Sequence, residues 1–140
     1  MIYLDTSALQ PYYRHEARSH EVQELLLTRS APVLVSDLTR LEVASAVARW
    51  VRRGEIEEAD AERIGRAFDD DVDAGRYELR RNTRAHVELA RRWLLARMTP
   101  LRTLDALHLA CAATEDASLV TFDETLGDAA VRLGVRVLEI

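Results

Sequence analysis

Three short strand-like runs, Ile2-Tyr3-Leu4, Val33-Leu34-Val35 and Ser118-Leu119-Val120-Thr121-Phe122-Asp123, each end at an acid or a hydroxyl, after which helical periodicity begins. A run of that length suits a strand buried on both faces, and the polar residue after it suits a helix N-cap. Repeated strand-to-helix junctions leave little besides an α/β fold with a parallel sheet, because each helical crossover returns the chain to the same end of the sheet. The remaining segments fit. Helical spacing runs through Tyr13, with Pro11 expected to start or interrupt that helix, and again over residues 18–29. It returns after Ser36-Asp37, with Leu38, Leu41, Ala44, Ala48 and Val51 on one side, and in an acidic stretch bearing Ile56, Ile64 and Phe68 between Gly54 and Gly75. Tyr77-Glu78-Leu79 reads as a weak strand, residues 84–97 as a helix, Thr103 as the cap of another, and Val135-Arg136-Val137-Leu138 as a final strand after Gly134. The order β-α-α-β-α-α-β-α-α-β-α-β predicts three layers, with helices flanking a central parallel sheet of about five strands.

Four acids fall at the junctions of this pattern. Asp5 and Asp123 follow apolar strands, Asp105 opens the apolar helix Leu104-Asp105-Ala106-Leu107-His108-Leu109-Ala110, and Glu42 lies early in the helix after Ser36. Carboxyl ends of strands and the helix starts beyond them share one edge of an open parallel sheet, so residues distant in sequence converge there. Glu42 joins the group only if its helix faces the same edge. Any one of these acids can serve as a helix cap or a first-turn acid stabilised by the helix dipole. Four at one edge repel one another unless a cation lies among them. Carboxylate oxygens suit Mg²⁺ or Mn²⁺, and the lack of histidine or cysteine at these positions disfavours zinc. Thr6, Ser7 and Thr121 flank the acids and are positioned to support a carboxylate or to cap a helix. His108, one turn after Asp105 on an apolar helix, reads as a satisfied core histidine outside the site.

Composition narrows the class. At 140 residues the chain fits one domain spanning 1–140, long enough to bury roughly 70% of its unfolded surface. The single cysteine, Cys111, excludes an internal disulfide and reads as a small core residue. The start Met1-Ile2-Tyr3-Leu4-Asp5 has no basic region or long apolar stretch, so a cytoplasmic protein without a membrane partner is expected. All 19 basic residues are arginine, and the net charge of −5 conceals a segregation. Residues 54–75 hold nine acids and two arginines, a balance of −7, whereas residues 76–104 hold eight arginines and two acids, a balance of +6.

The segments Ile2-Tyr3-Leu4-Asp5-Thr6-Ser7-Ala8-Leu9, Ser36-Asp37-Leu38-Thr39-Arg40-Leu41-Glu42-Val43-Ala44-Ser45-Ala46, Leu104 to Ala110 and Leu119-Val120-Thr121-Phe122-Asp123, in this order and spacing, resemble the PIN-domain ribonucleases. Within them the likeness is to the VapC toxins of toxin–antitoxin pairs. The resemblance spans the chain. It implies that Asp5, Glu42, Asp105 and Asp123 form a quartet holding one or two Mg²⁺ or Mn²⁺ ions, with Thr6 as the small polar residue after the first acid. It implies RNA phosphodiester hydrolysis by metal-activated water, leaving 5′-phosphate and 3′-hydroxyl ends. A further acid after the fourth has two candidates, Glu124 and Asp128. A VapB-like antitoxin occluding the pocket and a homodimer are also implied, with Tyr12, Tyr13, Trp50, Trp93 and the apolar positions of the 56–68 helix as material for a groove. RNA needs basic contacts beside an acidic pocket, and these are sought among Arg49, Arg52 and Arg53 and among Arg80, Arg81, Arg84, Arg91, Arg92, Arg97 and Arg102.

Two other classes compete. One is a non-catalytic PIN-like module that holds RNA or protein without cutting. The other is a receiver-type or haloacid-dehalogenase-type phosphotransfer domain, which fits less well: Ser7 stands where the dehalogenase motif has a second aspartate, and the lysine both classes use is absent from the chain.

Overall fold

In the computed structural model, which describes residues 1–140, Tyr3 and its neighbours pack on opposite sides of one sheet because strand side chains alternate. The elements are β1 (Ile2–Leu4), α1 (Thr6–Tyr13), α2 (Ser19–Thr28), β2 (Val33–Ser36), α3 (Asp37–Arg52), α4 (Glu58–Asp73), β3 (Glu78–Arg80), α5 (Arg84–Ala96), α6 (Thr103–Thr114), β4 (Ser118–Val120) and α7 (Glu124–Arg132). The sheet order is β3-β2-β1-β4 and every pairing is parallel, with Tyr3 aligned to Leu34 on one side and Leu119 on the other. Ile2, Leu4, Val33, Val35 and Val120 face one core with Leu9, Val22 and Phe68. Tyr3, Leu34 and Leu119 face a second core with Leu109, Ala110, Leu126 and Ala130. Helix α6 is buried almost all round, as its run of Ala106, Leu109, Ala110, Cys111 and Ala112 requires.

The sheet has four strands, where about five are expected. The final segment makes only an isolated bridge, Leu119 to Val137. Strand periodicity gives the reason. The Ser118 N–H and Val120 C=O face β1, bonding Met1 and Asp5, so Leu119 alone among the three β4 residues presents its N–H and C=O outward, to Arg136 and Leu138 at 2.8 Å each. One outward residue supports a bridge but no ladder. Pro11 neither starts nor interrupts α1, which begins five residues earlier because Asp5 caps it. Helix α6 begins at Thr103 itself, with Arg102 at the N-cap and no side-chain capping bond.

The strand order places the site. From β1 the chain moves outward to β2 and β3, and β4 then lies on the other side of β1, so the direction of winding reverses between β1 and β4. Loops leaving the carboxyl ends of two such strands diverge to opposite faces and open a crevice there. Asp5 follows β1 and Asp123 follows β4. No helix is long and apolar enough to cross a membrane.

Packing of the second core sets a testable scale. Leu109 is fully buried, and Leu109→Ala is expected to cost about 2–5 kcal/mol by lost transfer energy and cavity formation. Leu41, which is 69% exposed, should change stability by less than about 0.5 kcal/mol when replaced by alanine. Urea denaturation midpoints would check both; similar costs at the two positions would contradict this core.

Candidate active site at the carboxyl edge of the sheet

Asp5 is 5% exposed, and both of its carboxylate oxygens accept hydrogen bonds. As N-cap of α1 its Oδ1 accepts the Ala8 N–H at 2.9 Å, the Ser7 hydroxyl lies 2.8 and 2.9 Å from its two oxygens, and the Thr121 hydroxyl donates to Oδ2 at 2.8 Å. The Asp5 N–H meanwhile bonds Val120 O, which ties the end of β1 to the end of β4. Burial raises the Asp5 carboxyl above its ordinary value, and these hydrogen bonds oppose the rise only in part. Asp123 is held in the same manner, as N-cap of α7, with Oδ1 accepting the Leu126 N–H at 3.0 Å. The Thr121 and Ser7 oxygens accept the Asp123 and Phe122 N–H groups at 3.0 and 2.9 Å, so the two hydroxyls bind loop and acid together.

Glu42 and Asp105 come from helices and have no backbone anchor. Glu42 Oε2 accepts from the Thr6 hydroxyl and lies 2.6 Å from His108 Nε2. Burial pushes this carboxyl up, but the hydrogen bonds from His108 and Thr6 outweigh it and leave Glu42 below its ordinary value. Asp105, in the first turn of α6, is raised by burial and then by the negative charge of Asp123 and, more weakly, of Glu42. Arg102, whose Nε is 3.6 Å from Asp105 Oδ2, pulls the other way.

Of the four acids, Asp105 lies near enough to Asp123 and Glu42 to feel their charge, whereas burial alone raises Asp5. The four do not surround one point: no three Asp, Glu, His or Cys side chains are arranged to hold a single ion. Each carboxylate turns to a protein partner, Glu42 to His108 and Thr6, Asp5 to Ser7 and Thr121, Asp105 to Arg102 and Asp123 to the α7 N-terminus. The donor set is nevertheless wholly oxygen. Its raised members, Asp5 and Asp105, are groups whose negative form a hard divalent cation would stabilise.

Thr6, Ser7 and Thr121 all touch the acids. His108 does so as well, contrary to the sequence reading that left it outside: it is 2% exposed, and it bonds Glu42 through one nitrogen and Tyr3 through the other. Its spacing of three from Asp105 was the available signal, placing both on one face of α6. Glu124 and Asp128 line a cleft with Asp123 and Thr121 beside the site and make no side-chain hydrogen bond to the quartet. Cys111 is buried and pushed up to about 11, chiefly by burial, and takes no part.

The charge segregation resolves into two kinds of surface. Arginines near the acidic segment are paired locally, Arg63 with Asp60, Arg66 with Glu62, Arg40 with Asp69 and Arg76 with Asp71. Arg80 is held by Glu78 and Glu115, whereas Arg81, Arg84, Arg91, Arg92 and Arg97 are exposed and form no ion pair.

A match to the PIN domain family extends over residues 2–131. Among solved structures, VapC20 of Mycobacterium tuberculosis, described as a sarcin–ricin loop cleaving toxin, superposes with a TM-score of 0.73 at 17% identity, covering 92% of this chain and 95% of that one. FitAcB of Neisseria gonorrhoeae gives 0.70 at 18% identity, with 99% and 97% covered. VapBC2 of Rickettsia felis, bound to a DNA fragment from its promoter, gives 0.68 at 20% identity, with 99% and 98% covered. At these identities the likeness is one of fold. No curated protein sequence matches.

The direction of the Asp5 shift has a thermodynamic consequence. Its folded value lies above the ordinary 3.8, so the folded state binds the proton more tightly than the unfolded chain. Stability from this group is therefore greatest below 3.8 and declines as pH rises through the window up to the folded value. Glu42 has the opposite sign: its contribution is present above 4.5 and is lost as pH falls through its lowered folded value. In chelator, Asp5→Asn should melt at a higher temperature than the parent at neutral pH, and the gap should close as pH approaches 3.8. A lower melting temperature at neutral pH would contradict the raised carboxyl.

Proposed function

The chain belongs to the PIN domain family, and from that premise we propose that it is a divalent-metal-dependent ribonuclease serving as the toxin of a type II toxin–antitoxin pair. The observation that supports this reading is the closeness of Asp105 to Asp123 and Glu42 at the carboxyl edge of the sheet: burial and their repulsion disfavour charge on Asp105, and burial disfavours it on Asp5 at the end of β1. These four would hold Mg²⁺ or Mn²⁺. When bound, such an ion supplies Lewis-acid polarisation of the phosphoryl group and a water acidic enough to give a nucleophile at neutral pH.

The chain's own residues prepare the site. Ser7 and Thr121 fix Asp5, helix caps fix Asp5 and Asp123, and Thr6 and His108 restrain Glu42. The Arg102 side chain is 84% exposed and pairs with Asp105. A cation held by Asp105 would compete with Arg102 for that carboxylate and leave the arginine free for a phosphate of the RNA, and exposed arginines of α5, the helix packed on α6, would extend the basic path. RNA as substrate is supported by the fold shared with a toxin described as cleaving the sarcin–ricin loop.

A VapB-like antitoxin is the proposed partner, supported by the fold shared with VapBC2. Three of the four aromatic residues expected to form its groove are otherwise occupied: Trp50 is buried, Tyr13 bonds Asp71 and Tyr77, and Trp93 packs against the second core, while Tyr12 is half-buried beside Tyr13. An apolar surface for the antitoxin is a cleft of about 510 Å³ between α3 and α4, floored by Val43, Val47, Val51 and Phe68 and rimmed by Arg40 and Glu62. Homodimerisation is supported by Val87, Leu95, Met98 and Leu104, exposed on or beside α5 and α6.

A second reading, a PIN-fold module that binds RNA or protein without cutting, draws on one observation, the turning of each acid to a protein partner. Calorimetry separates the two. Millimolar Mn²⁺ should bind the parent protein and abolish the melting advantage of Asp5→Asn, and purified protein should cut RNA in a manner lost in EDTA. Asp5→Asn and Asp105→Asn should each lower cleavage by at least about 10²-fold, the scale of removing a stabilising group from a charge-developing centre. Cleavage that persists in chelator or in both variants would refute the nuclease reading; no Mn²⁺ binding would favour the module. Arg102→Ala should weaken RNA binding and reduce the slope of log affinity against log salt by about one. An unchanged slope would remove Arg102 from the RNA path.

A further inference from the structure

Between the acidic edge and the core runs an unbroken line of polar side chains. Ser36, the N-cap of α3, accepts the Thr39 N–H through Oγ. The Tyr3 hydroxyl lies 2.8 Å from Ser36 Oγ and 2.7 Å from His108 Nδ1, and His108 Nε2 lies 2.6 Å from Glu42 Oε2. Ser36 and Tyr3 are fully buried and His108 nearly so. The line therefore crosses β2, β1, α6 and α3 in turn.

The Glu42 end of the line has a fixed polarity. A carboxylate only accepts, so Nε2 carries the proton that faces Glu42. With Nε2–H facing the carboxylate, Nδ1 of the neutral ring is the acceptor, so it takes the Tyr3 hydrogen and the Ser36 hydroxyl, which also accepts the Thr39 N–H, donates to Tyr3. In this arrangement every donor meets an acceptor. Moving the imidazole proton from Nε2 to Nδ1 would set a lone pair against the Glu42 carboxylate and a second hydrogen against the buried Tyr3 hydroxyl.

Glu42 needs such a restraint more than the other strand-edge acids do. Asp5 and Asp123 are short and held by helix N–H groups, whereas Glu42 is a longer side chain in the body of a helix. Its Oε2 is occupied by both Thr6 and His108, and its Oε1 accepts no protein hydrogen bond.

We propose that His108 is a positioning residue: its Nε2–H, locked in that tautomer by Tyr3 and Ser36, fixes Oε2 of Glu42 and leaves Oε1 as the oxygen offered to a cation at the acidic edge. This rests on the reading of Glu42 as a metal-holding carboxylate. Hydrogen-bonded partners behind a ligand set its orientation, and their loss weakens metal affinity by about 10–100-fold.

The test combines one measurement without metal and one with it. In the metal-free protein, nitrogen-15 spectra of the imidazole should show the proton on Nε2 of His108, and Tyr3→Phe, which removes one oxygen, should broaden or shift that signature. A proton on Nδ1, or a signature indifferent to Tyr3→Phe, overturns the proposal. Mn²⁺ titration should give about 10–100-fold weaker binding for His108→Leu, a smaller loss for Tyr3→Phe, and recovery in His108→Gln, whose amide N–H stands in for Nε2–H. Equal weakening in the Leu and Gln variants would mark a packing defect and overturn the positioning role. Glu42→Gln is the reference. If it weakens Mn²⁺ while His108→Leu and Tyr3→Phe do not, positioning alone is overturned. If Glu42→Gln binds Mn²⁺ like the parent, the metal reading of Glu42 falls, and the proposal falls with it.

Discussion

The hydrogen-bonded knot around Asp5 is the constraint on which the rest of the molecule turns. One buried carboxylate ends β1, caps α1 and, through Thr121, holds the loop that leaves β4. Its charge is costly to bury, and the three side-chain and backbone donors around it offset that cost only partly. A chain that keeps such a group at its most ordered point has placed a destabilising acid where geometry is best defined. That is the pattern expected of a site whose stability is subordinate to binding.

The four acids divide into two kinds by the way they are held. Asp5 and Asp123 belong to backbone junctions, and their directions follow from helix capping. Glu42 and Asp105 project from helix sides and take their directions from other side chains, His108 with Thr6 and Arg102 respectively. The result is an edge where negative charge is concentrated but every carboxylate has a protein partner. Such an edge is compact without a cation, because Arg102 and His108 supply part of the compensation. Exposure makes the difference between those two partners consequential: Arg102 is free to leave, whereas His108 is enclosed by the core.

Much of this was legible in the chain. Short strand-like runs ending at Asp5, Ser36 and Asp123 specify strand-to-helix junctions by local chemistry, since a polar residue after a buried strand has only the helix start to satisfy. Those junctions carry the three-layer architecture and the shared edge. The last strand was misread because Val135 to Leu138 has strand composition, while pairing depends on what β4 presents, and β4 presents Leu119 alone. Trp50 and Tyr13 looked available for a partner and proved packed, because the stripe that would expose them is the one α3, α4 and α1 use against one another.

The sequence by itself determined which residues could cap, which could pack and that Asp5, Glu42, Asp105 and Asp123 were candidates for one edge, because those properties are set within a few residues along the chain. Only the tertiary structure decided how the acids are partnered. His108 is three residues from Asp105 and 66 from Glu42, and its roles in the core and at the site are one hydrogen-bonded line running from Ser36 through Tyr3. Directional bonds between groups so far apart in sequence have no local signature; they exist once β1, β2, α3 and α6 are packed, and they fix which oxygen of Glu42 is left free.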